Sequence, residues 1–553
     1  MKKIYFLILI VFCAKTLAQN NVKITYLKSS NGKLLENQDP ILVFTNKDHT
    51  LISSQNIITG KTIIPYEQTL INRTTDFFSQ FAQVSKTKTI STIDSTSLKK
   101  QTFTITEEFK TILGYKCRKA KTTVNSNSIE LWYTNELPLK AAPTVLGQNL
   151  GIVLEMNRNG NFIIQASKVE KLKSLPENLI PSTRVNPTDL LTYRDLLWKS
   201  RFTTINVFTN ETINFSDQSK SNDSILRFAN GTIILKKIKF PEIKSGNQIF
   251  IDVEEQSNGD AYDRTGSVFA ISENQKVSFL DGLKNGVKTL PAYTNGNGKE
   301  YRGVVKTDEY TPLLELMRFF TPFGVKQYNT IELKGKKWQE SVSYRQDISE
   351  LQSFLNNREI WIGTFIGNYD KGGHKISVNI TIHNEENQKT KNTYLLPLFN
   401  TTNIMEMAGQ DYATMFNNEK GLEVTFNLER DVKNAKLRYI TTGHGGWENG
   451  DEFLKKENTI FINDQKIHSF IPWREDCGSY RLYNPASGNF PNGLSSSDYS
   501  RSNWCPGTVT NPTTINLGDL KAGTHKIQIK IPQGEPEGSS FSSWNVSGVL
   551  IGN

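Results

Sequence analysis

Three short patches carry residue types that could cleave a polar bond beside a sugar. Asp260-Ala261-Tyr262-Asp263-Arg264 offers two carboxylates and a guanidinium. Gly450-Asp451-Glu452-Phe453 adds an acid next to a ring, and Arg501-Ser502-Asn503-Trp504-Cys505-Pro506-Gly507 adds a cation and an indole. A carboxylate can orient or activate water, and a fixed cation can stabilise developing negative charge. Flat rings suit the C–H face of a pyranose. Each patch also has a plainer reading. Asp260 and Asp263 follow the turn Ser257-Asn258-Gly259, where acids are commonly solvated caps. Glu452 follows a loop from Gly443 to Gly450, with His444 and Trp447 among glycines that permit either a tight turn or close approach to a ligand. Arg501 and Trp504 beside a cystine would most often be core.

The elements around these patches read as strands. Short runs rich in β-branched and aromatic residues recur throughout, separated by Asn, Gly, Ser and Lys turns. Examples are Ile24–Leu27, Ile129–Tyr133, Thr232–Phe240, Gln248–Val253, Lys375–His383, Leu422–Asn427 and Thr524–Lys530. No 3.6-residue period is sustained after residue 202, which predicts sandwiches or jelly rolls. The one helical pattern lies at Leu190–Trp198, after the candidate cap Asp189, in a stretch punctuated by Pro176, Pro181 and Pro187. At 553 residues the chain has room for several cores. The reading is all-β: a signal peptide over 1–18, a separate β-rich N-terminal domain over 19–175, a helical linker over 176–201, and two adjacent jelly-roll domains over 202–385 and 386–553. An Asn-rich break at Asn384–Asn392 separates the last two.

The first residues have the form of an export signal. Met1-Lys2-Lys3 is positive, Ile4–Cys13 is apolar, and Thr16-Leu17-Ala18 offers small residues for cleavage. The apolar run is too short to span a membrane, and no later segment is apolar enough to do so. The expectation is a secreted or periplasmic protein. The net charge of +10 comes from lysines interspersed with acids, without a basic run that interleaves with aromatics, so nucleic acid is not an expected partner. Cys477 and Cys505 flank a Gly/Ser/Asn/Pro-rich stretch, and an oxidising compartment permits a disulfide there. Such a closure would stabilise by about 3–4 kcal/mol. Cys117 is left over as a plain thiol. The six histidines lack ligand spacing, so neither a metal site nor a cofactor is expected.

The three patches, in this order, resemble the peptide:N-glycosidase F family of bacterial amidases. Similarity extends to Arg318-Phe319-Phe320-Thr321-Pro322 and Asn458–Asn463, so it covers about residues 202–553. The resemblance implies that Asp263 is the primary catalytic residue, with Arg264 beside it and Asp260 before it. It implies that Glu452 is a second functional acid, and that Arg501 and Trp504 sit beside a bridge from Cys505 to Cys477. Tyr262 and Phe453 stand where the family has Trp, and His444 stands roughly where it has another. The family's third glutamate falls near Phe365, with Asp370 the nearest acid. The N-terminal region partly resembles the GLPGLI family through Ile112–Ala120 and Glu130–Pro138.

What the resemblance implies is hydrolysis of the amide joining asparagine to N-acetylglucosamine in N-glycoproteins and glycopeptides, by a monomer. Asp263 would orient water, Arg264 would hold Asp263 or the substrate carbonyl, and Glu452 would bind or protonate near the linkage. Asp260, Tyr262, Phe453, Trp447, His444, Arg501 and Trp504 would contact substrate. Two other readings of the same residues are a glycoside hydrolase using Asp263 and Glu452, and a jelly roll that only binds carbohydrate.

Overall fold

The computed structural model describes residues 21–174, 185–273, 275–326, 332–383, 393–445, 450–485, 495–535 and 542–553. The signal segment, Pro176, Pro181, the break at 384–392 and Trp447 lie outside these residues. The chain divides into two compact units between Arg201 and Phe202. Among the described residues, no helix is long and apolar enough to cross a membrane.

The first unit is built on one 13-stranded sheet. Its strands are antiparallel except for the short piece Pro187–Thr188, which runs parallel to Thr89–Asp94. One face buries Tyr26, Val43, Leu131, Ile152 and Leu154. The helix Leu190–Lys199 starts where Asp189 caps the amide of Thr192. It turns Tyr193 and Leu197 onto Ala82 and Ile90, and the Tyr193 hydroxyl donates to Glu67 at 2.8 Å. This helix was expected to be a linker; its apolar face is instead part of the first unit's interior. Cys117 is buried and unbridged, and burial pushes its thiol up to about 11.

The second unit is two β-sandwiches. In the first, Phe202–Ile213, His374–His383, Gln248–Ser257 and Ser341–Asp347 form a four-stranded sheet. It faces a six-stranded sheet in which Glu359–Ile366, Thr265–Ile271 and Leu314–Phe320 are adjacent. In the second, Tyr394–Asn400, Ser543–Gly552, Val432–His444 and Thr513–Leu520 face Leu422–Leu428, Gly523–Lys530, Asn458–Ile462 and Gln465–Phe470.

Strand patterning follows the layers. Strands with one wet face alternate: in His374–His383, buried His374, Ile376, Val378, Ile380 and Ile382 alternate with half-buried residues. Leu314–Phe320 and Ser543–Gly552 are buried at every position because both faces are covered. The sandwiches are not separable at residue 385. Val509–Thr510 of the second pairs with Leu314–Phe320 of the first. Val549 and Ile551 enter the first sandwich's core, while Tyr293, Tyr301, Val304 and Val305 enter the second's. Sequence pattern placed the boundary at a polar break, but the cores interpenetrate across it.

Candidate active site

Asp263 lies on the loop between strands Gln248–Ser257 and Thr265–Ile271. The loop is clamped by Thr321, whose hydroxyl donates to the Tyr262 carbonyl at 3.0 Å and accepts from the Arg264 amide at 2.8 Å. Gly324 donates to the Ala261 carbonyl at 2.6 Å. Gly259 sits at φ +149°, and a Cβ there would meet Asp370 Oδ1 at 2.7 Å. The turn therefore requires glycine.

Glu452 comes from the second sandwich, on the loop after strand Val432–His444. Its neighbour Asp451 is fully buried and accepts the Trp544 indole N–H at 2.7 Å and the Gly534 amide at 3.0 Å. The Ser502 amide donates to the Glu452 carbonyl at 2.9 Å. Inward burial of Asp451 leaves the next side chain, Glu452, on the opposite side.

Arg501 joins the two acids. Its guanidinium, fully buried, contacts Glu452 Oε1 on one side and lies 3.2 Å from Asp263 Oδ2 on the other. It stacks over the Trp504 ring at 4.2 Å and the Phe453 ring at 5.1 Å. Its backbone is pinned by reciprocal hydrogen bonds with Arg474, at 2.8 and 3.0 Å. The Cys477–Cys505 disulfide, Cα atoms 5.1 Å apart, anchors the same segment. The Asp263 and Glu452 side chains keep 15% and 18% exposure, so both acids open to solvent while their shared cation does not. Burial, together with the nearby Asp263 charge, pushes the Glu452 carboxyl up to about 7 against the pull of Arg501.

Arg264 does not pair with Asp263, as the sequence reading had allowed. It turns to Asp260, with Nε donating to Oδ2 at 2.6 Å and Nη2 to Oδ1 at 3.1 Å. The side chain of residue 264 is instead committed to Asp260, while that of residue 263 lies against Arg501. The guanidinium lies 4.9 Å from the Tyr262 ring and 5.5 Å from the Tyr369 ring. These tyrosines are 60% and 56% exposed, so the row Tyr262–Arg264–Tyr369 presents ring faces at the rim.

Trp504 is not a platform for a sugar. It is 2% exposed, stacked on Phe320 at 4.2 Å, and its indole N–H donates to Gly443 O at 2.9 Å. Its work is to back Arg501. His444 packs beside Phe320 and Trp504 and accepts from the Thr442 hydroxyl at 2.8 Å. Burial, then the charges of Arg318 and Arg501, push its imidazole down to about 3, so it is neutral. Phe453 meets Tyr499 edge-on at 5.2 Å. Phe365 is buried core. Asp370 accepts the amides of Gly372 and Gly373 at 2.7 and 2.8 Å and so closes a turn.

Sequence reading missed four residues. Tyr369 had no motif. Glu406 approaches from the second sandwich, held by Asn403 Nδ2 at 2.8 Å. Burial raises its pKa, and the positive field of Arg264 opposes that rise. Glu255 and His374 stand behind Asp260, where an ionisable residue in phase with an apolar strand face was the available signal. Among the described residues, no cluster of three or more His, Cys, Asp or Glu side chains could hold a metal ion.

The family model described as "N-glycanase peptide, N-terminal domain" matches residues 24–195. "Peptide-N-glycosidase F, N terminal" matches 204–382, and "Peptide-N-glycosidase F, C terminal" matches 411–551. A solved structure of PNGF-II in a C2 space group is 57% identical over 97% of this chain and 98% of its own, with a TM-score of 0.90. A second, in P21, is 57% identical over 96% and 99%, with a TM-score of 0.91. No curated protein matches. At that identity over nearly the whole of both chains, the protein belongs to the peptide-N-glycosidase F family, in the form that carries an additional N-terminal domain.

Proposed function

We propose that Asp263, Glu452 and Arg501 form the working core of this peptide-N-glycosidase, which hydrolyses the asparagine–N-acetylglucosamine amide of N-glycoproteins and glycopeptides. The observation that carries the assignment of roles is the buried guanidinium shared by two partly exposed carboxylates from different sandwiches. An amide resists water because resonance stabilises it and nitrogen leaves poorly. Asp263, beside Arg501, takes a proton from a water whose oxygen attacks the carbonyl carbon. Glu452, whose burial favours the neutral acid near pH 7, donates the proton that the departing nitrogen needs. The C–N bond breaks, leaving aspartate in the peptide and a glycosylamine that loses ammonia in water. Arg264, fixed by Asp260, faces the carbonyl oxygen, and Tyr262 and Tyr369 stack on sugar rings. Arg501 and Trp504 position the acids.

Export, and action as a monomer outside the cytoplasm, is the accompanying reading. The Cys477–Cys505 bridge supports the export part of this reading.

The test is mass spectrometry of core-fucosylated and unfucosylated glycopeptides. Conversion of Asn to Asp is expected, and a sugar stub on an unchanged Asn would overturn the amidase chemistry. Asp263→Asn should keep the fold and lose roughly 10²–10⁴-fold in rate. A fully active variant would remove Asp263 from its role.

A further inference from the structure

Two neighbouring strands of the first sandwich send a charged residue into a face that is otherwise aliphatic. Along Gln248–Ser257 the buried positions are Ile249, Ile251, Val253 and Glu255; along His374–His383 they are Ile382, Ile380, Val378, Ile376 and His374. The two series lie side by side in antiparallel register. Glu255 and His374 are each 1% exposed. His374 Nδ1 lies 2.8 Å from Glu255 Oε1, and Nε2 lies 3.4 Å from Asp260 Oδ2. Both ring nitrogens face carboxylate oxygens, an arrangement that favours the imidazolium. Asp260 in turn grips Arg264. The result is a row of alternating sign, Glu255, His374, Asp260, Arg264, that runs from the sandwich interior to the rim.

The other charged and titratable groups near His374 are engaged elsewhere, except that the Tyr344 hydroxyl also faces Glu255. Tyr344 donates to Phe320 O at 2.8 Å on the strand beside Glu255. Asp370 receives backbone amides. On the flanking strand Phe202–Ile213, Glu211 pairs with Arg227 at 2.6 Å.

We propose that Glu255 and His374 are positioning residues for Arg264, and that loss of the His374 proton causes a second alkaline fall in activity, above the one set by the Glu452 proton. The idea rests on Arg264 serving the amidase site. Burial alone would make His374 give up its proton, but hydrogen bonds and charge from Asp260 and Glu255 outweigh this and hold the imidazolium up to about 9. Burial alone would likewise raise Asp260, and the contacts with His374 and Arg264 hold it down at about 2. When His374 deprotonates, Asp260 loses one of its two cationic partners and Arg264 loses its fixed orientation.

The experiment has two arms on the full chain. Imidazole proton–nitrogen NMR is feasible with six histidines. One ring should stay protonated well above pH 8, with a midpoint near 9, and be absent from His374→Gln. No imidazole titrating above pH 8 would overturn the proposal. In the second arm, kcat and KM for a glycopeptide are followed with pH in the wild type and in Glu255→Gln, which keeps the side-chain shape. The upper of the two alkaline limbs of kcat should move down by about one pH unit in Glu255→Gln, while the lower limb, set by Glu452, stays in place and KM changes less. A profile of unchanged shape, merely scaled, would show a structural role only and would sink the proposal. Absence of Asn-to-Asp conversion by the wild type at any pH would instead fault the amidase reading, and the NMR arm would still report on His374.

Discussion

At the scale of single residues, the site turns on which cation serves which acid. Adjacency in sequence suggested Arg264 for Asp263, but Arg264 pairs with Asp260 instead. Arg501 takes the position, and a planar guanidinium suits it because it can face two carboxylates at once. No local signal could reveal this, since the partners are supplied by loops of different sandwiches. Glu452 gives a stability prediction. Its folded pKa lies above the ordinary carboxyl value, so the stability it contributes is full below about pH 4.5 and is lost as pH rises through about 7. Glu452→Gln keeps the neutral form at all pH. Relative to wild type, the variant should gain on the order of 3 kcal/mol between pH 5 and pH 8. Urea unfolding of both proteins at the two pH values measures this, and a constant difference would contradict the shift. The types of the proposed reacting residues were legible through the resemblance that the three patches carry. Their electrostatics were not, because burial decides them.

At the scale of elements, strands were legible wherever one face is wet, as in His374–His383 and Leu422–Leu428, where period two is plain. It fails in Leu314–Phe320, which is buried on both faces and carries Glu315 and Arg318 among apolar residues. The same patterning held an unread message: Glu255 and His374 occupy core-phase positions, and a buried ionisable group in that phase demands a partner. The segment that delivers Arg501 and Trp504 is held by backbone hydrogen bonds with Arg474, Glu452, Gly443 and Phe320 and by the short strand Val509–Thr510. The Cys477–Cys505 bridge adds a covalent tie at the same place. Replacing both cysteines by serine should lower stability by about 3–4 kcal/mol, by opening a loop with a separation of 28 residues. It should also raise KM and lower kcat together, because Arg501 is no longer fixed. Thermal melts and glycopeptide kinetics on the double variant test both effects; wild-type kinetics at a lower melting temperature would confine the bridge to stability.

At the scale of the whole second unit, the proposed catalytic geometry depends on the seam between sandwiches, since Asp263 and Glu452 lie on opposite sides of it. Two fully buried arginines stitch that seam. Arg438 of the second sandwich reaches Glu350 at 2.6 Å and the carbonyl of Glu315 at 3.1 Å. Arg318 of the first donates to Glu315 at 2.7 Å, Thr402 at 2.9 Å, Thr442 at 3.1 Å and the Asn545 carbonyl at 2.6 Å. Thr442 passes the chain on to His444, behind Arg501. Removing one member of a buried ion pair strands the other. Arg318→Met should thus cost about 3–5 kcal/mol, because Glu315 keeps only the hydroxyls of Ser267 and Ser547 in a dry interior. Neutralising the stranded acid in Glu315→Gln/Arg318→Met should recover a good part of that loss, which distinguishes a charge effect from lost packing. Because each sandwich contributes side chains to the other's core, the two should also unfold as one cooperative body. Hydrogen exchange followed by mass spectrometry reads this directly: Gln248–Ser257 of the first sandwich and Leu422–Leu428 of the second should lose protection at one denaturant concentration. If they part company, the seam is an ordinary domain contact, and the rigidity that a shared guanidinium requires must come from the two loops alone.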